Sequence, residues 1–329
     1  MIHLNTIETA KPFIKWVGGK GQLLSQLDTL LPHDLYEEEF TYIEPFVGGG
    51  AMLFYILQKF PNTKRAIIND INSNLTDAYK TIKDDPEELI YRLKHLEHQY
   101  LSISINDNRK DFYLEMRHCF NEDKLTTTDK TALLIFLNHT CFNGLYRENS
   151  KGKFNVPFGR YANPTICNKK VIYADSELLN RYNVQIFNGD FKETSKTIDK
   201  TCLTFFYFDP PYRPLSTTSS FNRYVKEDFN DDCQRELAVF CRMLNTRKNI
   251  KWMLSNSDCS AKNPADTFFE DIYEEFIIQR VQASRMVNAN ASKRGKLTEL
   301  LITNYETNRK TTLKYRQKIE EYKHFNQAI

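Results

Sequence analysis

The run Thr41-Tyr42-Ile43-Glu44-Pro45-Phe46-Val47-Gly48-Gly49-Gly50 passes directly into the apolar-periodic Ala51-Met52-Leu53-Phe54-Tyr55-Ile56-Leu57. A strand, a glycine turn and a helix in immediate succession form the opening unit of a doubly wound α/β sheet. Ala66 to Asn72 then reads as a second strand, which ends on Asp70. A carboxylate at that distance can accept both hydroxyls of a ribose, which predicts an adenosine-bearing ligand and leaves dinucleotide and S-adenosylmethionine both open.

A second segment indicates where chemistry would sit on such a sheet. Phe205-Phe206-Tyr207-Phe208 reads as a buried strand and runs straight into Asp209-Pro210-Pro211-Tyr212. Proline fixes φ and has no N–H, so sheet pairing stops there. Asp209, the Pro210 carbonyl and the Tyr212 ring are left facing the region beyond the strand end, where open α/β sheets bind ligands. These groups suit an amino group conjugated to a planar ring, whose lone pair is delocalised. A carboxylate and a carbonyl accepting its two N–H bonds would draw the nitrogen toward tetrahedral geometry and localise that pair. Taken alone, the same residues also fit a strand that ends in a proline-rich turn with a solvated Asp209.

The remaining segments arrange themselves around these two. Pro12 to Gly21 is an apolar approach and a glycine turn leading into the helix-like Gln22 to Leu27, with Trp16 and Lys20 placed to meet a ligand. It is not a P-loop, because Gly21 stands where Ser or Thr should follow Lys20. From about Leu75 to Lys130 the apolar spacing is helical, and strands return only near Val184, so a mainly helical insertion interrupts the sheet. At its far end, Asn138 to Tyr161 interleaves bases, amides and aromatics without strong periodicity. That suits groove insertion and base-edge contacts, and equally a β-hairpin with charged tips. Phe187 to Phe191 reads as another strand ending on an acid, Asp190, which is a candidate partner for an adenine ring. Arg213 to Phe229 is a Ser/Thr-rich loop fit to serve as a lid, Ile250 to Ser257 a strand with polar residues at its end, and Leu297 to Tyr305 the last strand.

Composition narrows the class of partner. No apolar run approaches the ~18 residues of a membrane span, and the start lacks the form of a secretory signal. The seven cysteines show no C-x-x-C pair, which predicts reduced thiols, a cytoplasmic location and no metal site. Net charge is only +3, so any case for a polyanion must be local. Between Asn143 and Lys170 six bases, including Arg147 and Arg160, face the single acid Glu148, and Arg285, Lys293, Arg294 and Lys296 form a second patch free of acids. Two lopsided patches flanking the Asp209 segment predict a phosphate-bearing ligand.

The ordered set KWVGGK, EPFVGGG, NDIN, NGLYR with FNVPFGRY, DPPY with PLS behind it, LSNS, and RGK with ELLITNY resembles the Dam-type (D12 class) DNA adenine N6-methyltransferases over roughly residues 12 to 305. It is most similar to members that modify the inner adenine of GATC, including methylases of restriction-modification systems. The resemblance implies a Rossmann-like methyltransferase sheet with helices on both faces. It divides the chain into a catalytic part (1–74), an inserted, mainly helical target-recognition domain (75–168), a second catalytic part (169–305) and a charged extension (306–329).

The family's cofactor is S-adenosyl-L-methionine and its partner double-stranded DNA. The resemblance implies cofactor contacts at Trp16, Lys20, Glu44, Pro45, Phe46, Gly48, Asp70, Asp190, Phe191 and Asp209, and a flipped adenine held by Asp209, Pro210, Pro211 and Tyr212. Lys15 and Arg147 would contact guanines, with Asn143, Leu145 and Pro157 reading or wedging the duplex. Phe142 keeps an aromatic where some relatives have tyrosine. Arg160, Arg285, Lys293 and Arg294 complete the expected DNA-binding set. No metal is called for, and a restriction endonuclease sharing the recognition sequence is the further expected partner. A nicotinamide-dependent enzyme, a non-catalytic DNA-binding module and a cytosine N4 methyltransferase are the alternatives that remain open.

Overall fold

The computed structural model describes residues 9–103, 106–122, 124–215, 229–283 and 297–307. Arg285, Lys293 and Arg294, most of the 213–229 loop and the extension beyond 307 lie outside the described residues.

Seven strands form one sheet flanked by helices: β1 Phe40–Glu44, β2 Thr63–Asp70, β3 Gln185–Asn188, β4 Leu203–Phe208, β5 Ile250–Ser257, β6 Ile277–Ala283 and β7 Leu297–Thr303, in the order β3-β2-β1-β4-β5-β7-β6. The chain divides into two compact units, one of residues 1–19, 47–59 and 68–191, the other of 20–46, 60–67 and 192–329.

In the second unit β1, β4 and β5 run parallel. Chain order jumps between β1 and β4, and such a switch point opens a crevice beyond the carboxyl ends of the strands. Glu44 closes β1, Asp209 follows β4 and Ser257 closes β5, so the polar strand ends of the sequence gather on this edge. Every residue of β4 is buried, as expected for a central parallel strand covered on both faces. Phe206 stacks on Phe208 at 5.5 Å, and Phe206 lies in register with the fully buried Trp252. β7 enters antiparallel, pairing Glu299 with Ser257 on one side and with Val281 of β6 on the other. β6 has no counterpart in the sequence reading, because Gln279, Arg280 and Gln282 break its apolar pattern.

The first unit carries the helices expected from residue 75 onward: α3 Ser73–Asp84, α4 Pro86–Ser102, α5 Asn106–Phe120 and α6 Thr127–Thr140, with α2 Ala51–Lys59 before them, α1 (Leu24–Asp28) belonging to the other unit, and α7 Lys169–Arg181 after them. Each boundary has a local cause. Asn72 accepts from the Leu75 N–H to start α3, Pro86 occupies the first turn of α4, and Thr126 accepts from the Asp129 N–H to start α6. α6 is buried from Thr131 to Asn138, which is why its sequence is apolar all round rather than striped.

Candidate active site

The Asp209 cluster belongs to the second unit. Lys20 leaves the glycine turn on a short 3₁₀ segment, Lys20–Gln22, and is almost fully buried. Its Nζ lies 2.8 Å from Asp209 Oδ1, 3.9 Å from Glu299 Oε2 and 4.4 Å from the centre of the Tyr212 ring. The Tyr212 hydroxyl donates to Glu299 Oε2 at 2.6 Å. One cation therefore serves two carboxylates and an aromatic face.

Burial pushes the Asp209 carboxyl up to about 6; Lys20 opposes the shift and Glu299 adds to it. The Tyr212 hydroxyl is raised well above its ordinary range by burial and by both carboxylates, so it stays a neutral donor at physiological pH. Beside them, Tyr42 donates to the buried Glu44 at 2.7 Å, and Tyr207 and Ser255 share a buried hydrogen bond of 2.9 Å. Pro45 is buried, and Phe46 meets Phe229 edge-on at 5.6 Å.

The glycine-turn site belongs to the first unit. Asp70 accepts from the Gly48 N–H at 3.1 Å through Oδ2 and from the Asn72 N–H at 2.9 Å through Oδ1. Burial raises this carboxyl while those backbone N–H bonds lower it. A carboxylate offers about four acceptor positions, and the Gly48, Asn72 and Ile71 N–H groups take three, which leaves one for a ribose hydroxyl. Gly48 has φ +48°, and a Cβ there would fall 2.8 Å from Trp16 Cδ1. The turn is thus closed by the indole, which stacks on Tyr146 at 5.1 Å. Asn188 bonds the carbonyls of Asp70 and Ile71, and Asn69 bonds that of Gly189, so the ends of β2 and β3 are tied just before Asp190 and the buried Phe191.

The described residues among those expected to contact DNA lie in the same unit. Isolated antiparallel bridges join Cys141 to Phe158 and Glu148 to Phe154. The stretch is therefore a hairpin-like loop with exposed basic residues, the hairpin of the two readings the sequence left open. Lys15 is pinned by Asn138, which accepts its N–H at 2.8 Å and donates to both its carbonyl and that of Gly144. Asn143 stands at φ +56°, its N–H held by the Tyr161 hydroxyl, and Arg160 shares that backbone conformation. Phe142 is half exposed and donates its N–H to the Pro157 carbonyl, while Leu145 is part-buried. Arg147 is exposed, with its Nε on Asn155 Oδ1 at 2.7 Å.

The family model for D12 class N6 adenine-specific DNA methyltransferases matches residues 16–287, well over half of the chain. The chain belongs to that family. A type II methyltransferase of Methanocaldococcus jannaschii, M.MjaIII, is 48% identical over 299 residues, 90% of this chain and 99% of the relative. Another type II methyltransferase, M1.LlaDCHI of Lactococcus lactis subsp. cremoris, is 39% identical over 90% of this chain and 95% of its own length. The DNA adenine methylase of Haemophilus influenzae is 31% identical over 88% of this chain and 92% of its own. The protein is an adenine-specific DNA methyltransferase.

Three residues of this methyltransferase stand in the sites without having been read from the sequence. Glu299 carries no strand-end signal in the sequence, because it stands near the start of its strand and only the antiparallel direction of β7 brings that start to the ligand edge. Ile71, which directly follows Asp70, is 76% exposed, the most exposed of the large apolar side chains among the described residues. Its signal was an apolar residue just beyond a buried strand. Tyr146 is one residue of the NGLYR motif, and its ring packs against both Trp16 and Phe154. Among the described residues no group of acids, histidines and cysteines is arranged to hold a metal, and no helix is long and apolar enough to cross a membrane.

Proposed function

We propose that this methyltransferase transfers the methyl group of S-adenosylmethionine to N6 of an adenine rotated out of double-stranded DNA, within GATC. The observation that carries the reading is the Asp209 carboxylate held on Lys20 at 2.8 Å, next in sequence to a carbonyl that no described residue bonds. Two acceptors at that strand end match the two N–H bonds of an exocyclic amine. When bound, S-adenosylmethionine supplies an electrophilic methyl on a sulfonium centre. Asp70 takes the ribose, Gly48 and Trp16 close the turn, Ile71 and Phe191 flank the adenine, and Asp190 meets its polar edge. The Glu44 to Phe46 segment and Lys20 serve the methionine portion.

Asp209 and the Pro210 carbonyl accept the target N6 hydrogens, Pro211 fixes the turn, and Tyr212 stacks on the base. Rotating a base out of the duplex costs a few kcal/mol, which stacking and these hydrogen bonds must offset. The excess proton of the methylated amine leaves to water. Lys15 and Arg147 read guanines, Phe142, Asn143, Leu145 and Pro157 face the duplex, and Arg160, Arg285, Lys293 and Arg294 meet phosphates. Residues 75–168 are carried as the target-recognition domain between catalytic parts 1–74 and 169–305, and the cell interior as the place of action. A restriction endonuclease reading the same sequence is the proposed functional partner, without a stable complex.

Transfer of labelled methyl to paired duplexes that differ only in GATC versus GTTC tests the proposal. N6-methyladenine in the GATC duplex alone is expected. Equal labelling of both would discard the sequence assignment, and labelled cytosine would discard the base.

A further inference from the structure

Two amide side chains, Gln234 and Asn256, are fully buried behind the Asp209-Pro210-Pro211-Tyr212 segment. Gln234 lies on the helix Asp231–Asn245, which starts where Asn230 accepts the N–H groups of Asp232 and Cys233; Asn256 is the penultimate residue of β5. Asn256 Oδ1 accepts the N–H of Arg213 at 3.2 Å and that of Ser257 at 2.9 Å. Two backbone donors facing one atom require that atom to be oxygen, so the amide orientation is fixed by the backbone rather than chosen. Its Nδ2 must then face Gln234 Oε1, at 3.1 Å, which leaves Gln234 Nε2 to donate to the Pro211 carbonyl at 3.0 Å. The Ser257 hydroxyl completes the arrangement by donating to the Arg213 carbonyl at 2.6 Å.

The consequence is a one-way chain of hydrogen bonds from the β5 end to the proline turn. The carbonyl of Pro211 and both backbone groups of Arg213 are held, bracketing Tyr212. The Pro210 carbonyl takes no hydrogen bond from any described residue. Burying two amides is costly unless every polar atom finds a partner, and here the partners are the peptide groups on either side of Tyr212. We infer that Gln234 and Asn256 are positioning residues for methyl transfer: they fix the peptide planes around Tyr212 so that the Pro210 carbonyl stays spare and aimed at the target amine. The inference rests on the role proposed above for Pro210.

The polarity of the chain provides the test. In Gln234→Glu a carboxylate can still accept from Asn256 but sets an oxygen against the Pro211 carbonyl. In Gln234→Met both bonds vanish at similar volume. For each variant we would measure the single-turnover transfer rate at saturating S-adenosylmethionine and duplex, the dissociation constants of both, and the melting temperature. A positioning role predicts a single-turnover rate at least about tenfold lower in both variants with dissociation constants within about threefold of the unaltered protein, since misplacement costs rate rather than ground-state binding. Rates within about twofold in either folded variant would overturn the inference. So would rates and affinities falling together with the melting temperature, or loss of folded protein in both, which would assign the pair to stability alone. If the unaltered protein transfers no methyl to adenine, the proposed function fails instead, before the variants are compared.

Discussion

The Tyr212 hydroxyl donates to Glu299 at 2.6 Å, and Lys20 lies between Glu299 and Asp209. The Tyr212 ring and the Asp209 carboxylate are thereby tied to one buried charge cluster, in which burial raises the Asp209 carboxyl and its two charged neighbours adjust it in opposite directions.

Asp209 should impose an acid limit on turnover. Its carboxyl is pushed up to about 6, and a protonated carboxyl cannot accept both in-plane bonds that the amine and Lys20 require. Single-turnover transfer is expected to fall as pH drops through about 6, and Asp209→Ala to lose nearly all of it at any pH. A flat profile between pH 5 and 8 would remove the carboxylate from the chemistry.

Glu299 raises the Asp209 carboxyl and Lys20 lowers it. Glu299→Gln is therefore expected to move the acid limb to lower pH, and Lys20→Met to move it higher. Opposite displacements in one pH–rate series would establish the cluster; a common direction would refute the assigned signs.

Arg147 presents its guanidinium from the hairpin-like loop, held by Asn155. Arg147→Ala should cost about 1–3 kcal/mol of discrimination between GATC and single-substituted sites if the fork reads guanine in two bonds. Transfer rates on cognate and near-cognate duplexes measure this directly, and an unchanged ratio would count against base reading.

Asp175 on α7 is fully buried, accepts the Lys11 N–H at 3.0 Å through Oδ1, and leaves Oδ2 without a partner among the described residues. Burial pushes its carboxyl from 3.8 up to about 8. A group that binds its proton more tightly when folded stabilises the protein fully below its unfolded value and loses that contribution as pH rises through about 8. Stability should therefore decline across this window. Asp175→Asn keeps an acceptor for Lys11 and should flatten the decline, being the more stable form above pH 8. Denaturant unfolding at several pH values decides, and parallel curves would show that Asp175 ionises without penalty.

Gly50 has φ +76°, and a Cβ there would collide with the hydroxyl oxygen of Tyr79, which is itself buried and bonded to the Gly48 carbonyl. Gly50→Ala is expected to destabilise the fold by about 1–3 kcal/mol and to weaken binding of the methyl donor. Calorimetry with the donor or a donor analogue would show both losses, and an unperturbed variant would mean that the turn can reshape.

Sequence by itself determined the local frame. Glycine turns, the apolar runs into Glu44, Asp70 and Asp209, and the helical spacing after residue 75 are written in adjacent residues, where periodicity and proline or glycine chemistry act directly. The ordered motifs added the family. Tertiary structure decided what depends on partners far apart in the chain. Lys20 and Asp209 meet across 189 residues of sequence separation only because the Lys20–Gln22 segment and the end of β4 fold into the same unit. Glu299 joins them because β7 runs antiparallel, a choice of direction that no local pattern in Leu297–Thr303 expresses. The Gln234–Asn256 bridge was likewise illegible: each is an ordinary polar residue in its own segment, and only packing of helix against sheet buries both and obliges every amide atom to find a partner.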